Sequence, residues 1–185
     1  MLVWSDASFS RGDKWLPVPE SGCVAGLGFV VYSPYTGAFV CSAWVVPPPL
    51  LALLFRPHEQ YVGILENLAA QAVAFSVPDI LSHRLVLHFV DNQGALSNLV
   101  SGSSSDPDSR AIVFDSALQS SRLGARVWYE WVESASNIAD LPSRGVFSFT
   151  GALLGADGVC CTSSWVPMRF SAAIEAQRLA WVPPR

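Results

Sequence analysis

The chain of 185 residues predicts an α/β fold, a mixed sheet with helices packed on it, and three observations carry that expectation. Apolar patterns of strand and helix type follow one another as β-β-β-α-β-α-α-β-α, an antiparallel meander joined to two strand–helix units. One of the strands, RLVLHFVD over 84–91, is apolar almost throughout, as a central parallel strand covered on both faces should be. A composition of 51% hydrophobic and 14% charged residues supports a proper core and excludes a disordered chain. The length suits one domain, placed at residues 1–144, with 145–185 as a C-terminal extension and not an independent domain.

Residues 2–9 form the first strand, followed by a polar loop with Gly12, Pro17 and Pro19. Residues 23–32 form the second, PYTG over 34–37 supplies turn chemistry, and 38–46 return as the third. Three prolines at 47–49 end it. From His58 to about Phe75 the spacing becomes helical. Tyr61, Ile64, Leu65, Leu68, Ala72 and Phe75 make one apolar stripe, and Val62, Ala69, Ala70 and Val73 a second. A helix apolar around so much of its circumference must be largely buried, and Pro78 stops it. After strand four, residues 92–100 are a short helix capped by Asn92, 101–107 a loop, and 108–123 an amphipathic helix. Strand five spans 126–132. In NIADLPSR over 137–144, Asn137 reads as the N-cap of a short helix and Asp140 as its N3 residue. Beyond Gly145 the pattern weakens, with 171–181 a candidate terminal helix.

No apolar run approaches the roughly 18 to 20 residues of a membrane span, and MLVWSDASF lacks the segments of a signal peptide. The cysteines at 23, 41, 160 and 161 read as buried thiols with no zinc-site spacing, which points to a reducing, intracellular compartment, cytoplasm or nucleus. Net charge is −4, with one lysine against ten arginines, so no basic stripe advertises nucleic-acid binding.

Four acids occupy positions that need a reason. Asp6 lies mid-strand in an apolar segment, where an unpaired buried carboxylate is costly. Asp91 stands at the carboxyl end of strand four, where open α/β sheets place their sites. Glu66 interrupts the second apolar stripe of the long helix, and Asp140 enters from the last helix. Singly, each has an ordinary explanation: a strand end for Asp6, a helix edge for Glu66, and capping for Asp91 and Asp140. Together they supply only hard oxygen ligands, which suit Mg²⁺ or Mn²⁺ and not zinc.

The chain resembles the ribonuclease H domains of retroelement reverse transcriptases. The matching stretches are VWSDAS around Asp6, GLGFVVYSP in strand two, ILENLAAQAVAF around Glu66, LHFVDNQGAL around Asp91 and WVESASNIADLPSR around Asp140, in that order over residues 2–144. The last, N-x-A-D-x-x-S-R, is similar to long-terminal-repeat and tyrosine-recombinase retroelements. The resemblance implies a five-stranded sheet of order 3-2-1-4-5. It also implies two-metal hydrolysis of the RNA strand of an RNA–DNA hybrid, with Asp6, Glu66, Asp91 and Asp140 as catalytic residues and ligands of two Mg²⁺ or Mn²⁺ ions. Asn92 and Gln93 match positions that face the hybrid's minor groove. A polymerase domain fused upstream is the implied partner, and Met1, five residues before Asp6, gives the chain the look of a fragment or detached copy. Two departures stand out: the loop at 133–136 has no histidine, and there is no basic protrusion. Two alternatives stay open. One is a catalytically inactive binding or scaffold module of the same fold; the other is a different nuclease on it, such as a 3′–5′ exonuclease.

Overall fold

Strand β1 (Leu2–Ser10) is the axis of the sheet in the computed structural model, which describes residues 1–10, 22–54, 61–146 and 163–180. On one side it pairs antiparallel with β2 (Val24–Ser33), which pairs antiparallel with β3 (Ala38–Val45). On the other it pairs parallel with β4 (Leu85–Val90), which pairs parallel with β5 (Arg126–Trp131). The expected order 3-2-1-4-5 is therefore present, and a short sixth strand, β6 (Ser163–Trp165), lies parallel outside β3.

Alternation along the central strands divides the molecule into two layers. Val3 and Ala7 of β1 join Ala25, Leu27, Phe29 and Val31 of β2 in the main core, under Leu65, Leu68, Ala69, Ala72 and Val73 of helix α2 (Tyr61–Ser76). Leu65, Leu68 and Ala72 of one apolar stripe of α2 and Ala69, Ala70 and Val73 of the other are buried because α5 (Pro107–Arg122) and α4 (Gln93–Ser101) pack on it as well. The opposite sheet face carries a smaller cluster of Val30, Phe39 and Cys41, with Trp4 and Tyr32 beside it.

Proline chemistry is richer than a stop signal. Pro48 and Pro49 begin helix α1 (Pro48–Leu54), and Pro78 both follows the end of α2 and opens α3 (Pro78–Leu81). A proline in the first turn loses no intrahelical hydrogen bond, so the residue that forbids one helix starts the next. Leu50, Leu51 and Leu54 then add to the main core.

The C-terminal residues close that core. Met168, Phe170 and Ile174 belong to it, Ile174 from helix α7 (Ala172–Ala180), and Phe170 meets Trp44 at 4.7 Å between ring centroids. Ser42 Oγ donates to the Val166 carbonyl at 2.8 Å, and the Arg169 amide donates to Ser76 Oγ at 2.8 Å. Cys23 and Cys41 are buried thiols, while Cys160, Cys161 and His58 lie outside the described residues. No described helix is long and apolar enough to cross a membrane.

Candidate active site

The parallel register of β1 and β4 sets Trp4 beside Phe89, their rings stacked at 5.2 Å. Two residues further along each strand direction come Asp6 and Asp91, on the sheet face opposite α2. From the α2 side Glu66 reaches the same end of β1, where its Oε1 accepts from the Ala7 amide at 3.3 Å. Asp6, Glu66 and Asp91 each offer a carboxylate oxygen, and the three oxygens lie within 4.8 Å of one another.

Burial makes this convergence costly. Asp6 is 4% exposed and Glu66 2% exposed, while Asp91 is half-buried at the strand end. Asp6 is pushed up to about 6, chiefly by burial, with the Ser143 hydroxyl opposing and the Asp91 and Asp140 charges adding to the rise. Burial, then the charges of Asp6 and Asp91, hold Glu66 well above the usual carboxylate range. The second oxygen of Glu66 is buried and has no hydrogen-bond partner. An orphaned buried oxygen on a carboxylate grouped with two others is what a hard divalent cation would satisfy, and the donor set is all oxygen. Among the described residues the site thus fits Mg²⁺ or Mn²⁺.

Asp140 stands apart from the three. It is the first residue of α6 (Asp140–Ser143), whose N-cap is Ala139, so it does not occupy N3. Asn137 lies two residues before that cap and braces the turn leading into it. Its Nδ2 donates to the Ser5 carbonyl at 3.0 Å, tying the loop to β1, and its Oδ1 accepts from the Ala139 amide. The Asp140 carboxylate accepts from Arg144 Nε at 2.7 Å and its side chain is 35% exposed. It lies close enough to raise Asp6 but outside the group of three. Asn92 caps α4, accepting from the Ala95 amide at 3.0 Å, and Gln93 is exposed at the first helical position. Both border Asp91.

Other residues at the site are invisible to a search for acids. The Ser143 hydroxyl donates to Asp6 Oδ2. The Trp131 indole donates to the Asp91 carbonyl at 3.2 Å. Gly26 and Gly28 of β2 let α6 lie directly on the sheet: a Cβ on Gly28 would sit 2.9 Å from the Ala139 carbonyl oxygen. Two glycines inside a strand were the available signal, since they mark close backbone approach. His88 does not substitute for a loop histidine. It is buried on the α2 side of β4, its Nε2 2.9 Å from Ser5 Oγ, and burial lowers it to about 3. The loop at 133–136 contains a single 3₁₀ turn, Ser134–Ser136.

The N-terminal RNase H domain of a Mycobacterium tuberculosis protein, solved as a fusion with maltose-binding protein, superposes with a TM-score of 0.58 at 17% identity. The alignment covers 78% of this chain and 91% of that one. RNase H1 from the halophilic archaeon Halobacterium salinarum gives 0.57 at 19% identity, covering 78% and 95%. The chain has the ribonuclease H fold. A protease–reverse transcriptase of prototype foamy virus aligns over 79% of this chain and 20% of its own length, at 16% identity and a TM-score of 0.47, too low to speak to kinship. No protein-family profile matches the sequence, nor does any curated protein sequence. The ribonuclease H fold explains why the acids meet: its central parallel pair brings Asp6 and Asp91 to one sheet end, and its long helix brings Glu66 there.

Proposed function

We propose that the chain is a metal-dependent ribonuclease H, an endonuclease that hydrolyses the RNA strand of RNA–DNA hybrids, belonging to or derived from a retroelement reverse transcriptase. The observation that carries this reading is the convergence of Asp6, Glu66 and Asp91 within 4.8 Å, two of them buried. These three would hold the divalent ions, two by the expected chemistry, with Asp140 joining from the rim. Mg²⁺ or Mn²⁺ bound there supplies Lewis-acid polarisation of the phosphoryl group and an acidified water. The chain's own residues prepare the place. The Ala7 amide orients Glu66, Trp131 fixes the backbone at Asp91, and we assign contacts with the 2′-hydroxyls of the RNA strand to Asn92 and Gln93, the neighbours of Asp91. With one lysine and a net charge of −4, the chain supplies little electrostatic grip, so we assign most of the hold on the hybrid to an upstream polymerase domain.

A second reading, an inactive scaffold of the same fold, is favoured by one observation: Asp140 is engaged by Arg144 and lies outside the group. Cleavage of a labelled hybrid in Mg²⁺ separates the two. Asp91→Asn keeps the shape and removes one anionic ligand, so cleavage should fall at least roughly a hundredfold, the equivalent of about 2.7 kcal/mol. Hybrid binding should change little, and melting should hold or rise as repulsion among the acids is relieved. A wild type that binds hybrid without cutting it would establish the scaffold reading. Equal cleavage by wild type and variant would remove this site from the chemistry.

A further inference from the structure

Ser143 is 3% exposed, four residues beyond Ala139, and nothing in its residue type marks it as functional. Its surroundings do. The hydroxyl donates to Asp6 Oδ2, joining residues 137 positions apart in the chain. The backbone that presents it is pinned independently of Asp6. Its carbonyl accepts from Ser8 Oγ at 2.6 Å, and its amide donates to the Ala139 carbonyl at 3.1 Å. Beneath it lie Gly26 and Gly28, and Gly28 is the cross-strand partner of Asp6 itself. Asn137 ties the entry of the same segment to Ser5, the neighbour of Asp6.

From this geometry we infer that Ser143 is a positioning residue for Asp6, holding one carboxylate oxygen so that the plane of the group, and the direction of its other oxygen, are fixed toward Glu66 and Asp91. The inference rests on the nuclease reading of that site. A hydroxyl has one proton, and two acceptors face this one: Asp6 Oδ2 and the Asp140 carbonyl at 2.9 Å. The charged carboxylate is the stronger acceptor and takes the proton. Arg144, the next residue, engages the Asp140 carboxylate, so the end of α6 holds one acid with a neutral donor and the other with a cation. The two devices differ in kind. A neutral donor orients Asp6 without competing for its charge, whereas the guanidinium offsets the charge of Asp140 while holding its Oδ1.

The test uses the full chain and Mn²⁺ alone as the probe, by titration calorimetry, with kcat and KM for hybrid cleavage and melting measured alongside. Loss of an outer partner of a metal ligand typically costs 10- to 100-fold in metal affinity or activity. Ser143→Ala should therefore weaken Mn²⁺ binding by at least about tenfold and lower kcat at saturating Mn²⁺, with KM for the hybrid unchanged. In an Asp6→Asn background the same substitution should cost no further Mn²⁺ affinity, because the group it acts through is gone. Ser143→Cys, which keeps the volume and donates only weakly, carries the same expectation should the alanine variant not fold. Unchanged Mn²⁺ affinity and kcat would overturn the inference, as would an equal loss in the Asp6→Asn background, which would mark a general packing defect. Wild type that binds no Mn²⁺ would remove the nuclease reading and this inference with it; wild type that binds Mn²⁺ beside an indifferent Ser143→Ala would remove the inference alone.

Discussion

Asp6 and Glu66 are two carboxyls nearly sealed from water, the proton affinity of each raised chiefly by burial, and their cost depends on pH. A carboxyl whose value is raised on folding binds protons in the native state that the unfolded chain has already lost. Stability then falls as pH rises from the unfolded value toward the folded one, and levels off above it. For Asp6 the window runs from the ordinary 3.8 to about 6, worth on the order of 3 kcal/mol; Glu66 extends the decline higher. The metal-free protein should therefore melt at progressively lower temperature as pH rises from about 4 to 7. Asp6→Asn should flatten that slope, and scanning fluorimetry across pH checks both. Mn²⁺ affinity should run the other way, rising with pH, since the ligands must shed protons to bind. A flat melting profile would mean that folding raises the proton affinity of neither acid. At this scale the acids were legible, because a carboxyl in an apolar strand or helix stripe demands an explanation. Ser143 and Trp131 were not, because a serine in a polar motif and a tryptophan at a strand end are ordinary where they stand.

Helix α6 has four residues, far short of what holds a helix in water, so its neighbours keep it in place. Its seat is the pair Gly26 and Gly28, and its anchors are Asn137 on Ser5 and Ser8 on Ser143. Gly28→Ala would press a methyl into the Ala139 and Pro142 backbone, each 2.9 Å from the new carbon. Overpacking of that kind costs about 1–3 kcal/mol. Melting should fall accordingly, and Mn²⁺ affinity should fall with it because Ser143 is carried off Asp6; a loss of stability with metal binding intact would detach α6 from the site. The sequence located the long elements well: α2, α4, α5 and the five main strands follow periodicity over many residues. It missed α1 and α3 because proline was read only as a terminator, and β6 because three residues carry no period. It placed the N-cap at Asn137, two residues early, because an asparagine before a helix looks the same whether it caps the helix or the turn leading into it.

Over the whole molecule, described residues of the weakly patterned C-terminal part pack into the core. Met168, Phe170 and Ile174 are buried with the residues of β1, β2 and α2, and β6 covers the outer edge of β3. Burial of a large apolar side chain is worth about 1.5–3 kcal/mol, so three approach the 5–15 kcal/mol that keeps a typical domain folded. A chain ending at Arg144 retains every proposed ligand, yet it should melt far below the full chain or aggregate through the bare β3 edge. Circular dichroism and size-exclusion chromatography of the two lengths check this. A truncated chain that stays monomeric and melts like the full one would show that the C-terminal part only decorates the fold.

The bond from Ser143 to Asp6 also sets a clock. It spans 137 positions, and at ribosomal rates of about 5–20 residues per second Asp6 exists for on the order of ten seconds before its partner is made. Glu66 and Asp91 arrive in between, but the strand that carries Asp6 has its last neighbours only when the final third of the chain appears. Contacts this distant in sequence form late and slowly. The nascent chain thus passes a long interval with its acids scattered, and the carboxylate cluster gains its Ser143 contact only after α6 has been made.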